Sequence, residues 1–62
     1  MKLKEYLLDN LSEYIHVYED GIIEFMGLGR ELYNVLSRHW LAAEVIEIVN
    51  NGHNIEVERD RR

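Results

Sequence analysis

The sequence has no cysteine and no long apolar segment. Without cysteine, neither a disulfide bond nor a zinc site built on thiolates can stabilise the fold. No apolar segment approaches the roughly 20 residues that a membrane-spanning helix needs. The apolar stretch near the start is interrupted by Glu5, Asp9 and Asn10, which argues against a signal peptide. These absences predict a cytoplasmic protein without a membrane anchor.

The chain has 62 residues, a length that corresponds to one domain. A domain of this size buries only about 60% of the surface that its unfolded chain exposes. Self-association would increase the buried area, and we expect a homodimer, formed either by packing two sheet faces or by pairing edge strands.

Side chains suited to catalysis are scarce. Cysteine and threonine are absent, and the two serines, Ser12 and Ser37, stand in no nucleophile-elbow pattern. Glu47 and Glu56 could imitate the paired carboxylates of a hydrolase. Their pattern indicates an open sheet face, however, with no pocket that would raise one pKa. We therefore predict no catalytic residue and no cofactor.

Positive charge is missing from most of the chain, whose net charge is −5. No basic residue stands between Lys4 and Arg30 or between Arg38 and Arg59, whereas both stretches contain several acids. An acidic surface repels phosphate backbones and attracts basic partners, so nucleic-acid binding is disfavoured. The alternative interpretation is that the acidic surface only keeps the protein in solution.

The spacing of apolar residues predicts two helices. The apolar positions of the first, residues 2–11, recur every four residues: Leu3, Leu7 and Leu11. The second begins at Leu28 or Gly29 and ends near residues 38–41, where the basic side chain of Arg38 suits a helix C-terminus.

Residues 13–26 are rich in β-branched and aromatic residues and contain the pair Asp20-Gly21, which predicts a β-hairpin. A two-residue turn would place Glu24 on the apolar face. A three-residue loop that ends at Gly21 keeps that face wholly apolar, so it is the register that we expect. This register gives four cross-strand pairs, two on each face of the hairpin: Val17 with Ile23, Ile15 with Phe25, His16 with Glu24, and Tyr18 with Ile22.

Residues 44–58 fit either the end of a long helix or a second hairpin. Asn51-Gly52 is the strongest two-residue hairpin signal, and the β-branched residues before it favour a strand. The alanines at positions 42 and 43 keep the helical alternative open. The hairpin register pairs Ile48 with Ile55 and Ile46 with Val57 on one face, and it places Glu47 and Glu56 on the other.

These elements predict an α+β fold with the order helix–ββ–helix–ββ. The hairpins form one antiparallel four-stranded sheet, and two helices cover one of its faces. The domain spans residues 1–58, and we expect the charged tail, residues 59–62, to be frayed. The predicted core consists of Leu3, Leu7, Leu11, Ile15, Val17, Ile23, Phe25, Leu32, Leu36, Ile46, Ile48, Ile55 and Val57.

Three segments carry a resemblance to a group of known proteins: KLKEYL at the start, HVYEDG in the first hairpin and EVIEIVNNGHNIEVE near the end. With this order of elements, the chain resembles small proteins carried by phages and integrated mobile elements of Gram-positive bacteria. The resemblance implies an inhibitor or modulator of host or defence machinery. It includes no catalytic motif and assigns no role to any single residue.

The outward face of the first hairpin is the main candidate for a binding surface. Tyrosine and methionine are enriched in interface cores, and a continuous exposed apolar patch usually marks a contact. Val45 and Val49 are predicted to point the same way. Glu47 opposite Glu56 is destabilising, which implies either a different register or a basic partner. The candidate binding residues are Tyr14, His16, Tyr18, Ile22, Glu24, Met26, Trp40, Glu47 and Glu56.

The leading hypothesis is a small acidic protein without enzymatic activity. It would cover a basic surface of a protein partner, for example a nucleic-acid enzyme of a host or defence system, with charge steering and tyrosine contacts. A second hypothesis is a nucleic-acid-binding or nucleic-acid-acting module that uses Lys2, Lys4, Arg30, Arg38 and residues 59–62. A third is a purely structural module that self-associates.

Two smaller alternatives concern ligands. His16 and Glu24 could hold a metal weakly, but a metal site needs three or four ligands, so we expect only a cross-strand pair and no metal. The segment Gly27–Arg30 could bind phosphate at a helix N-terminus, although Glu31 would oppose the anion and no P-loop lysine is present.

Overall fold

The computed structural model describes residues 1–60. Within them a short 3₁₀-type turn, Asn50–Gly52, connects the last two strands. The helices and strands, in chain order, are α1 (Leu3–Leu8), β1 (Tyr14–Glu19), β2 (Ile22–Leu28), α2 (Gly29–Val35), α3 (Arg38–Leu41), β3 (Glu44–Val49) and β4 (Asn54–Glu58).

The four strands form one mixed sheet in the order β2-β1-β4-β3. β1 pairs antiparallel with β2, and β3 pairs antiparallel with β4, but the two central strands, β1 and β4, run parallel. The fold is therefore α+β, as predicted, but the expectation of a wholly antiparallel sheet is wrong. Hairpin signals determine the pairing within each hairpin only. The chain crosses from β2 at one edge to β3 at the other, so β4 returns to the centre beside β1.

The expectation of two helices is also wrong, because the described residues form three. The predicted second helix is divided at Leu36, whose backbone is extended, with ψ of 142°. Ser37 then starts a new helical turn, since its hydroxyl accepts a hydrogen bond from the backbone N–H of Trp40 at 3.5 Å.

The first hairpin has a two-residue turn rather than the expected three-residue loop. Asp20 and Gly21 both have positive φ, 54° and 76°, as a type I′ turn requires. Glu24 forms a bulge and has no cross-strand partner. This bulge shifts the register by one residue, so that Val17 faces Phe25 instead of Glu24. The expected pairs are therefore wrong, and the observed pairs are Tyr18 with Ile23, Val17 with Phe25, His16 with Met26, and Ile15 with Gly27.

The second hairpin is present and its turn is centred on the predicted pair. Asn51 and Gly52 have φ of 57° and 89°, and the N–H of His53 donates to the carbonyl of Asn50 at 3.1 Å. The predicted pairs of Ile48 with Ile55 and of Glu47 with Glu56 are confirmed. The predicted pair of Ile46 with Val57 is wrong, because a bulge at Ile46 places Val45 opposite Val57.

The core lies between the helices and one face of the sheet. Four predicted core residues are exposed instead: Leu11, Ile23, Ile46 and Ile48. Leu11 lies beyond the end of α1, the two bulges displace Ile23 and Ile46, and Ile48 lies on an edge strand. Phe25 is partly buried. The buried apolar residues are Leu3, Tyr6, Leu7, Ile15, Val17, Leu32, Leu36, Ala43, Ile55 and Val57.

Candidate binding face

The side of the sheet that faces away from the helices forms the candidate binding surface, which we call the open face. Its residues alternate along each strand with those that enter the core. The register assigns to it Tyr14, His16, Tyr18, Ile23, Met26, Glu47, Val49, Asn54 and Glu56.

Two rows of side chains cross all four strands of the open face. One row consists of Met26, His16, Asn54 and Val49. The other consists of Ile23, Tyr18, Glu56 and Glu47. Both rows therefore carry apolar side chains on β2, and the second becomes acidic on β4 and β3.

A depression with a volume of about 260 Å³ lies on the acidic side of the open face. Its lining combines an aromatic ring, an aliphatic side chain, an amide and two carboxylates: Tyr18, Val49, Asn54, Glu47 and Glu56. The parallel junction of β1 and β4 creates this site, because it places Tyr18 directly beside Glu56.

Glu47 and Glu56 stand opposite each other on neighbouring strands. The carboxylate of Glu56 lies 3.4 Å from the backbone N–H of Gly21, and within residues 1–60 neither glutamate forms an ion pair. Like charges directly opposite on a sheet are unfavourable by roughly 0.2–1 kcal/mol. Among the described residues, therefore, no cation compensates the negative charge at the centre of the acidic side.

The acid at the corner of the same sheet face, Glu44, is compensated. Lys2 Nζ lies 2.6 Å from Glu44 Oε1, and the terminal amino group of Met1 lies 3.4 Å from Oε2. The hydrogen bond between the two side chains lowers the pKa of Glu44 and raises the pKa of Lys2. This contrast distinguishes Glu47 and Glu56, which have no such cation within residues 1–60.

Hydrogen bonds of two histidines connect the start of β1 to the residue before β4. The backbone N–H of His16 donates to the backbone carbonyl of His53 at 2.7 Å, and the ring nitrogen Nδ1 of His53 lies 2.7 Å from the carbonyl oxygen of Tyr14. Since a carbonyl only accepts, this nitrogen of His53 carries the proton. The ring of His16 packs edge-on against Tyr14, with centroids 5.3 Å apart, and its buried Nδ1 has no partner among the described residues.

Two candidate residues of the first hairpin lie elsewhere than expected. Ile22 pairs with Glu19 on the helix side, and Glu24 occupies the bulge. Ile23 takes their place on the open face. Val45 likewise packs against the core, whereas Val49 lies on the open face as predicted. The Asp20-Gly21 pair indicates the observed two-residue turn, whereas the alternation of apolar residues along the strands favours the three-residue loop.

Trp40 lies on the helix side of the sheet, away from the other candidate residues. Its ring packs edge-on against Phe25, with centroids 5.0 Å apart, and the guanidinium of Arg59 stacks 3.8 Å from its centroid. Arg59 also donates to the buried carboxylate of Glu19, and this hydrogen bond raises the pKa of Arg59. Arg59 thus contacts both Glu19 and Trp40, and the frayed tail stays a prediction, since residues 61 and 62 lie outside the described residues.

The segment Gly27–Arg30 has no free backbone donors for phosphate at its centre. The N–H groups of Gly29 and Arg30 donate to the carbonyls of Glu13 and Leu11 at 2.9 and 3.0 Å. The N–H of Leu28 is 3.3 Å from a carboxylate oxygen of Glu31. These contacts attach α2 to the loop that follows α1, so the segment is a structural connection.

His16 faces Met26 rather than Glu24, so the expected His16–Glu24 pair is absent. In the described part of the chain, no three residues of the metal-binding types come together.

None of the helices in residues 1–60 is both long enough and apolar enough to cross a membrane.

The fold and its open face define a small α+β protein with a mixed four-stranded sheet, covered by helices on one side and uncovered on the other. Comparison of the chain with protein-family models, curated proteins and solved structures gave no match.

Proposed function

We propose that the protein is a small acidic binding protein that covers a basic surface of a partner protein with its open face. The observation that carries this proposal is the pair of Glu47 and Glu56, which face each other on an uncovered surface and have no ion-pair partner within residues 1–60. The sequence left two explanations for this pair, a different register or a basic partner. Glu47 does stand opposite Glu56, despite the bulge at Ile46, which supports the basic partner.

The remaining open-face side chains suit a protein contact. Tyr14 and Met26 are 46% and 56% exposed, and the ring of Tyr18 forms one wall of the depression beside the two carboxylates. Tyrosine presents a large rigid surface with a polar tip, and such residues supply much of the affinity at interfaces. The carboxylates would steer a basic partner toward this surface and weaken the binding of acidic ones.

The partner class that we propose is a nucleic-acid enzyme or nucleic-acid-binding protein in the cytoplasm of a bacterial host. Such a protein has a basic surface that an acidic face can occupy in place of the phosphate backbone. The resemblance to phage and mobile-element proteins suggests inhibition as the consequence. The mechanism would be competition, because the protein and the nucleic acid would bind the same surface of the partner and could not occupy it together.

The two other hypotheses receive less support. Lys4, Arg30 and Arg38 lie on the three helices rather than beside the open-face tyrosines, and Lys2 and Arg59 already contact carboxylates. A homodimer through the open face would bring the uncompensated glutamates of two copies together. The homodimer that the sequence predicts, formed by packing two such faces or by pairing edge strands, stays a prediction that sizing chromatography can check.

A charge-reversal experiment tests the proposed function. The protein is immobilised, partners are captured from a bacterial host lysate, and each purified partner is titrated calorimetrically at several salt concentrations. We expect Glu47→Lys/Glu56→Lys to abolish binding and the wild-type affinity to fall as salt rises. The matched control is Asp9→Lys/Glu13→Lys, which makes the same charge change at exposed positions after α1. Binding that survives the open-face change, or that is independent of salt, would refute the proposal.

A further inference from the structure

The outer side of β3 is only partly covered. Residues 1–3 lie antiparallel along its beginning, where Leu3 N–H donates to the carbonyl of Ala43 at 2.8 Å and Val45 N–H donates to the carbonyl of Met1 at 2.9 Å. Within residues 1–60 no strand continues this pairing past Val45. We call the remaining segment, Ile46 to Val49, the β3 edge.

The β3 edge exposes apolar side chains. Ile46, Ile48 and Val49 are 58%, 44% and 46% exposed. Edge strands usually carry lysine, proline or other devices that prevent pairing, because their free N–H and C=O groups are a template for a further strand. Here a bulge at Ile46 is followed by three more strand residues, of which only Glu47 is charged.

The part of the edge that is already covered indicates what a further strand would look like. Lys2 contacts Glu44 at 2.6 Å on the open-face side, and Leu3 is fully buried on the helix side. The β3 edge repeats the same arrangement, because Glu47 lies on the open-face side and Ile48 on the helix side. In the covered half, a basic residue (Lys2) and an apolar residue (Leu3) thus lie beside a strand whose side chains are acidic and apolar in turn.

We propose that the β3 edge binds an extended segment of a partner protein in which basic and apolar side chains alternate. The segment would add a fifth strand to the sheet, with a basic side chain beside Glu47 and an apolar side chain against Ile48. Charge favours this occupant over a second copy, because each copy has a net charge of −5 and carries Glu44 and Glu47 on this strand. The contact shares Glu47 with the open face, but it runs along the outer side of β3 and goes beyond the proposed function.

The test uses a synthetic peptide of alternating lysine and valine with blocked ends. Binding to the whole protein is measured by NMR, with amide hydrogen exchange as the readout of strand addition. We expect slower exchange of amides in the β3 edge. A peptide of alternating glutamate and valine, and one with its lysines and valines in two blocks, should give no such protection.

Variants identify the surface. Ile48→Lys and, independently, Ile46→Lys should each abolish peptide binding. Both positions are exposed, so we expect both variants to fold. Ile22→Lys is the matched control, since Ile22 is 63% exposed on β2, the opposite edge of the sheet. Tyr18→Ala should also leave peptide binding unchanged, although it should weaken the partner contact of the proposed function. The two proposals can therefore fail separately.

Several outcomes would overturn the inference: no binding of the alternating peptide, equal binding of the acidic peptide, or protection at β2 instead of β3. A wild-type dimer that Ile48→Lys converts to a monomer would show that a second copy occupies the edge, which also contradicts it.

Discussion

The guanidinium of Arg59 holds the buried carboxylate of Glu19 by two-point contact, with Nη2 2.7 Å from Oε1 and Nε 3.0 Å from Oε2. The backbone N–H of Arg59 donates to the same carboxylate at 3.2 Å, and the guanidinium stacks on Trp40. An acid that is only 5% exposed is thereby paired at the end of the core.

Removal of the arginine should destabilise the fold. We expect Arg59→Ala to lower Tm by several degrees, because it removes the two-point contact to the buried carboxylate of Glu19 and the stacking on Trp40. Arg59→Lys should restore only part of the loss, since lysine cannot make the two-point contact or stack in the same way. Thermal unfolding followed by circular dichroism measures both. A Tm of Arg59→Ala equal to that of the wild type would contradict the role assigned to this pair.

A second prediction concerns Gly29, which lies against the loop after α1. A Cβ at this position would overlap the carbonyl oxygen of Asn10 and lie 2.9 Å from the carbonyl carbon. Gly29→Ala should therefore destabilise the protein by about 1–3 kcal/mol in urea unfolding. Gly27→Ala is the control, because the nearest atom to its Cβ would be Leu32 Cδ2 at 3.6 Å, an ordinary contact. If Gly29→Ala and Gly27→Ala destabilise the protein equally, the close approach of Gly29 to the Asn10 carbonyl is not the cause of the loss.

Tyr6 gives a prediction about alkaline pH. Its hydroxyl donates to the carbonyl of Gly52 at 2.6 Å, and burial, with a smaller contribution from the charge of Glu13, raises the pKa of Tyr6. A raised pKa in the folded state means that the folded protein binds its proton more tightly than the unfolded chain does. This contribution to stability is therefore fully present below the pKa of an unfolded tyrosine, about 10, and is lost as pH rises through the folded-state pKa.

Tyr6→Phe should remove that part of the pH dependence and cost about 0.5–1.5 kcal/mol at neutral pH. Ultraviolet titration of tyrosinate should show that a late step present in the wild type is lost in Tyr6→Phe. Tyr14→Phe serves as the control, because Tyr14 is exposed. If the late step persists in Tyr6→Phe, another tyrosine is responsible for it.

The opposed glutamates predict opposite effects on stability and binding. Glu47→Gln removes one of two facing charges, so the free protein should gain roughly 0.2–1 kcal/mol in unfolding experiments. The same change should weaken binding of a basic partner. Loss of stability in Glu47→Gln would mean that Glu47 has a favourable contact in the free protein and would remove the main support for the proposed function.

The local patterns predicted most of the elements and part of the open face. Leu3 and Leu7 have the four-residue spacing of a helix, and Asn51-Gly52 specifies the second hairpin because its two residues adopt positive φ readily. Tyr14, His16 and Tyr18 follow from simple alternation along β1. Ile23 could not be assigned in this way, because a bulge at Glu24 changes the alternation after the turn.

The sequence by itself determined the acidic charge, the position of both hairpins, the second turn and the pairs Glu47–Glu56 and Ile48–Ile55, since these depend on composition and on neighbouring backbone preferences. The tertiary structure alone decided that β4 runs parallel to β1, that Tyr18 therefore lies beside Glu56, and that Arg59 reaches Glu19. Those contacts join residues about 40 positions apart in the chain. Their geometry depends on how the helices carry the chain across the sheet, which no local pattern encodes.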